Sequence, residues 1–175
     1  MVMSGTQSAD LEGDPGLEGD SGLEGDSGQE EQAFEALLVQ REGKILTVYA
    51  DSLGKPTVGI GHLVTPADGL ALGDTIDEAT ADAFFAADSA AALAAARGQA
   101  AQAGITSSAF IPYLASVNFQ LGTDWTAKFP HTWQMIVNGE YTEAAAALNG
   151  TIWQNQTPTR VADFQAALRA LPPKS

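Results

Sequence analysis

The chain has 175 residues, 45% of them hydrophobic, with no cysteine and a net charge of −14. That length carries one globular domain with a sizeable core, the missing cysteine excludes a disulfide framework and a thiolate metal site, and the charge excludes a partner held through its phosphates, so no nucleic acid is expected. Seven of the 22 acids and none of the eight Lys and Arg fall within residues 1–28.

Taken from its beginning, "MVMSGTQSAD" lacks the basic-then-apolar layout of a signal peptide, and no window approaches the roughly 18 apolar residues of a membrane span. Next comes "GDPGLEGDSGLEGDSG", residues 13–28, with Gly at every third position. A Gly-X-Y period fits a short triple-helical, collagen-like stalk, or a flexible acidic linker. Like charges brought together by three chains, and a single proline, favour the linker. Its Asp-Gly repeats do not match an EF-hand loop, so no metal is expected.

From residue 29 the composition turns globular. "EEQAFEALLVQRE" places Phe34, Leu37, Leu38 and Arg41 at helical spacing and stops at Gly43. "KILTVY" and "TVGIGHLV" are rich in β-branched residues and read as two strands joined by the turn "ADSLGKP". After a loop, "TIDEATADAFFAADSAAALAAARGQAAQ" is an alanine-rich long helix, opened by Thr75 and Glu78 in capping-box spacing. Further helices fit "SSAFIPYLASVNFQL", "PHTWQMIVN", "TEAAAALN" and "TPTRVADFQAALRAL", the last with Thr157 as N-cap and Pro158 at its first turn. One small sheet and many helices predict an α+β fold, with a small N-terminal lobe, a long connecting helix and a helical C-terminal lobe. A cleft between lobes is a natural place for a substrate.

Three residues near the predicted hairpin stand out. Glu42 follows Leu38 by four residues and Phe34 by eight, so it projects toward the apolar face of its helix. It also ends that helix, where the macrodipole disfavours negative charge. These are surroundings for a general acid, which must hold a proton to give it; the bland alternative is a surface Glu before a C-cap glycine. Asp51 has the address of a turn aspartate, yet it can face Glu42 if the helix end folds back on the hairpin. Two carboxylates in unlike environments are what glycosidic hydrolysis requires. Thr57, otherwise an ordinary strand residue, could hold a water beside Asp51.

The layout E-x8-D-x5-T made by Glu42, Asp51 and Thr57, followed by "VGIGHL", resembles the T-even phage lysozyme type of glycoside hydrolase family 24. "VNFQLG", residues 117–122, and "WQNQTPTR", residues 153–160, resemble it too, and the match runs in order from about residue 31 to 171. The resemblance implies a lysozyme-like two-lobed muramidase that needs no cofactor and cuts peptidoglycan between N-acetylmuramic acid and N-acetylglucosamine. Glu42 would protonate the leaving oxygen, and Asp51, with Thr57, would activate a water on the opposite face, inverting the anomeric carbon. Arg160 matches the arginine that approaches the acid, and His62 a histidine paired with an aspartate on the long helix, here Asp88 in the pattern F-x-x-D.

Leu63, Phe119, Gln120 and Thr132 fall at positions that line the sugar groove in relatives. Leu63 and Phe119 could equally be core and Gln120 a loop polar group, and Trp153 could be groove or core. Ala147 stands where the family has a groove asparagine, and an acidic surface replaces a usually basic one. The implied setting is the host cytoplasm and then the periplasm, or a virion tail to which residues 1–28 would attach through phage tail or virion proteins. An inactive relative kept as a virion structural or wall-binding module is the non-enzymatic alternative.

Overall fold

The computed structural model describes residues 15–52 and 54–174; the expectations for residues 1–14, the lack of a signal peptide included, lie outside the described residues. Helix α1 spans Pro15–Glu42. It opens inside the Gly-X-Y stretch, so the backbone from 15 to 28 is helical here, in neither the triple-helical nor the coil form that the period favours. Pro15 supplies the first-turn residue that a helix tolerates. Each interior glycine costs about 1 kcal/mol against alanine, so helical stability comes from the far end, where Phe34 and Leu38 are fully buried. Gly43, at φ 74°, stops the helix.

The sheet follows at once. Strands β1 (Ile45–Ala50), β2 (Pro56–Gly59) and β3 (His62–Leu63) lie side by side in chain order, all antiparallel. The expected single strand "TVGIGHLV" is therefore two. Gly59 and Gly61 take φ of 67° and 69°, left-handed values that reverse the chain after Gly59 and that a side chain rarely adopts. Space is tight at Gly61 as well: a Cβ there would crowd Phe119 Cε1 at 3.3 Å and meet Glu42 Cγ at 3.5 Å. The glycine-threaded run thus lets the sheet close directly onto the end of α1.

Helix α2, Glu78–Ala103, is the long connector. Its N-cap is Asp77, which accepts the Thr80 N–H at 2.8 Å, and not Thr75. Thr75 instead pairs with Thr47 as a bridge alongside β1, which holds it out of the helix. Alanines at 81, 92, 96, 100 and 103 are buried along α2, and their small side chains let α3 (Ile111–Leu121) pack close.

Short α4 (Trp125–Lys128), α5 (Pro130–Asn138), α6 (Tyr141–Ala147), short α7 (Ile152–Gln156) and α8 (Pro158–Arg169) complete the helical lobe. Trp125, fully buried, meets Phe164 edge-on at 5.9 Å, and Trp153 closes on Phe164 at 6.2 Å. Phe34, Phe85 and Phe119 form a second aromatic group, which ties α1 and α2 to α3. Pro158 opens α8 and Thr157 holds its N-cap position as expected, but the Thr157 side chain makes no cap hydrogen bond. The Thr157 hydroxyl donates to the Trp153 carbonyl at 3.2 Å and accepts from Gln120 at 2.9 Å, so it serves the cleft wall instead.

Candidate active site

Glu42, Asp51 and Thr57 line one cleft of about 360 Å³, walled by the sheet on one side and by α3, α7 and α8 on the other. A pocket of about 390 Å³ against α1 and α3 has Glu30 as its one carboxylate, and that group is bound to Arg97 Nε at 2.8 Å. Of these two, the former brings two carboxylates together, Glu42 and Asp51. Leu63, Phe119, Gln120, Trp153 and Arg160 line the same cleft. The sequence signal was the shared inward face of Phe34, Leu38 and Glu42 along α1, which carries Glu42 into the space between the lobes.

Glu42 Oε1 is ion-paired with Arg160 Nη1. Arg160 Nη2 also donates to Ser116 Oγ at 2.7 Å and to the Ser116 carbonyl at 3.1 Å. Burial pushes the Arg160 pKa down and Glu42 acts against that, while the guanidinium stays charged in any protein setting. Its Nε is buried with no hydrogen-bond partner among the described residues. One residue earlier on α1, Arg41 makes a two-pronged bond to Asp163, Nε at 2.7 Å and Nη2 at 2.8 Å. Adjacent residues of α1 therefore grip residues one turn apart on α8, fixing the acid relative to the helical lobe.

Asp51 is set by its turn. Its Oδ1 accepts the Lys55 N–H at 2.8 Å, and its carbonyl accepts the Gly54 N–H at 2.9 Å. Thr57 is buried and donates its hydroxyl to the Lys55 carbonyl at 3.1 Å. Having spent its one proton there, the hydroxyl offers lone pairs to whatever binds next to it. Tyr49, opposite Thr57 in the β1–β2 register, also lines the cleft. Burial first, then the nearby Glu42 and Asp51, raises its pKa, so the phenol stays neutral. Sequence reasoning missed it, although Tyr49 on β1 lies two residues before Asp51, the spacing that puts side chains on one face of an extended chain.

The remaining expected residues divide. Leu63 is 48% exposed at the rim, an apolar surface open to a ligand. Gln120 lines the cleft but is committed on both sides, donating to Thr157 at 2.9 Å and accepting from Trp153 Nε1 at 2.9 Å. Trp153 is buried and lines the floor, so groove and core are both true of it. Thr132 is not in the cleft. It is buried on α5, one turn before Ile136 and on the same inward face, so the lobe's core takes it.

His62 and Asp88 pair as expected, at 2.7 Å from Nδ1, but outside the cleft. The sequence reading missed the second partner, Asp68, 2.9 Å from Nε2; Thr65 and Asp68 stand in capping spacing, the signal that was there to find. The ring also stacks on Phe84 at 4.0 Å. Only an imidazolium donates to both carboxylates. Burial opposes that charge, the bonds to Asp88 and Asp68 favour it, and the net pKa is raised above 6.5. Asp68 is lowered below 3.8, chiefly by the Thr65 N–H and then by His62.

A histidine whose folded pKa is raised stabilises fully below its unfolded pKa, and that contribution is lost as pH rises through the folded value. The lowered Asp68 works oppositely, losing its contribution as pH falls through its folded value. The stability advantage over a His62→Gln variant is therefore expected to be largest near pH 5 to 6 and to shrink toward pH 9, as checked by urea unfolding midpoints. An advantage that grows with pH would refute the charged-histidine assignment.

A small sheet lobe and a helical lobe closing on a carboxylate-bearing cleft define the lysozyme-like α+β class. The family model for phage lysozyme matches residues 39–165, and the chain belongs to that family. It is 32% identical, over 127 residues and 73% of its length, to the protein named peptidoglycan hydrolase gp36 of Pseudomonas phage phiKMV, of which it spans only 14%. It is also 27% identical, over 147 residues, to probable T4-type lysozyme 2 of Dictyostelium discoideum, with 71% of this chain and 86% of that one covered.

Proposed function

We propose that the chain is a peptidoglycan hydrolase of the muramidase type, cutting the β-1,4 bond between N-acetylmuramic acid and N-acetylglucosamine. The observation that carries this reading is the convergence of Glu42, Asp51 and Thr57 in one cleft, within the segment that matches the phage lysozyme family. Glu42 takes up a proton, leaves Arg160 and delivers the proton to the leaving oxygen. Asp51, oriented by the Lys55 N–H, removes a proton from a water that the Thr57 hydroxyl helps hold, and this water attacks the anomeric carbon from the opposite face with inversion. Tyr49 and Leu63 shape the sugar site between them. The name of the phage relative supports the same polymer as substrate.

Residues 1–28 lie ahead of the family match, and we assign them to a tail that tethers the enzyme, a role in which avidity would offset charge repulsion from an anionic wall. The working setting is then a virion tail, or the host periplasm reached from the cytoplasm. Mass spectrometry of purified Gram-negative peptidoglycan after digestion tests the activity: new reducing muramic ends are expected. Intact polymer would move the function to wall binding or virion structure.

A further inference from the structure

Positive charge in this molecule is almost entirely committed. Of its eight Lys and Arg, Arg41, Lys44, Arg97, Lys128 and Arg160 sit in ion pairs. Lys174 donates to the Val137 carbonyl at 2.6 Å. Among the described residues, only the Lys55 and Arg169 side chains of these eight have no hydrogen-bond or ion-pair partner. Arg169, in the last turn of α8, does not line the cleft, and Lys55 does.

The placement of Lys55 is built, although its ammonium is exposed. Its N–H is bonded to the Asp51 carboxylate at 2.8 Å, and its carbonyl accepts both the Asp51 N–H at 2.8 Å and the Thr57 hydroxyl at 3.1 Å. The side chain thus springs from a backbone unit clamped between the two groups assigned to the water. An uncommitted cation at that point is matched to an anion that arrives with the substrate.

We propose that Lys55 is a specificity residue that binds a carboxylate of the peptide carried by the muramic acid in the cleft. The inference rests on the peptidoglycan reading. The sugars of that polymer are uncharged, and its carboxylates lie on the peptides attached to muramic acid. A chain of net charge −14 repels such a surface as a whole. Lys55 reverses the sign locally, at the place where a peptide-bearing sugar must come closest to Asp51. It selects peptide-substituted, carboxylate-bearing strands over neutral ones.

The full chain carrying Glu42→Gln, which is expected to cut the polymer about 10² to 10⁴-fold more slowly, is titrated onto purified peptidoglycan and onto the same material with its peptide carboxylates amidated by carbodiimide and methylamine. Adding Lys55→Gln is expected to weaken binding to the native polymer by about threefold at low salt, the scale of an exposed charge pair, and to leave binding to the amidated polymer unchanged. Lys55→Arg is expected to keep the preference. Equal loss on both polymers, no loss on the native one, or no binding to either would overturn the proposal. Cleavage by the unsubstituted chain is scored separately. Cleavage without the Lys55 effect sinks this inference alone, and the Lys55 effect without cleavage sinks the hydrolase reading alone.

Discussion

Glu42→Gln is expected to lower kcat on peptidoglycan by about 10² to 10⁴-fold, the range supplied by a positioned general acid, with KM little changed. Glutamine keeps the shape of the side chain but has no acidic proton to deliver to the leaving oxygen. The same substitution removes the counter-charge of Arg160. Breaking a buried pair costs about 3–5 kcal/mol when the surviving charge is left alone, but two features soften that here. Arg160 keeps both bonds to Ser116, and the Glu42 side chain retains 30% of its exposure, so water reaches the site. A small shift in the urea midpoint beside a large loss of kcat identifies the acid. A large midpoint shift with kcat retained would make Glu42 only a partner for Arg160.

The parts of this arrangement that the sequence made legible are those carried by local rules. Proline at the first turn placed the starts of α5 and α8, and glycine past the last turn placed the end of α1. The 3.6-residue period put Glu42 with Phe34 and Leu38, and so into the cleft. What escaped depends on contacts distant in the chain. Thr75 had the spacing of a capping box, but pairing with Thr47 drew it to the sheet and left Asp77 to cap α2. Thr157 is the N-cap residue of α8 by position, but its hydroxyl links to Gln120 and not to the helix backbone. The strand that split at Gly59 and Gly61 did so because β3 must turn back beside β2, where a Cβ on Gly61 would crowd Phe119 and meet Glu42. Thr132 was assigned to the groove through resemblance, and packing of α5 buries it in the core. Ser116 lies on a buried helix face with nothing local to mark it, and only the arrival of Arg160 gives its hydroxyl a role.

Asp51→Asn is expected to cut the yield of reducing muramic ends by about 10²-fold or more, at the lower end of what a general base supplies, while folding stays intact. The turn explains the second half of that expectation. An asparagine side-chain oxygen still accepts the Lys55 N–H, and the bond from the Gly54 N–H goes to the Asp51 backbone carbonyl, which the substitution leaves in place. The loss is then one of basicity, not of position. Mass spectrometry of the digests separates the two routes to cleavage. If water is the nucleophile, the unsubstituted chain yields reducing ends and Asp51→Asn yields few of any kind. If the muramic 6-hydroxyl attacks instead, the unsubstituted chain yields anhydromuramic ends, and the water-activating role assigned to Asp51 and Thr57 fails. Reducing ends released by Asp51→Asn at the full rate would keep the hydrolysis and remove Asp51 from it, leaving Glu42 and the neutral Tyr49 phenol as the groups that face the bond.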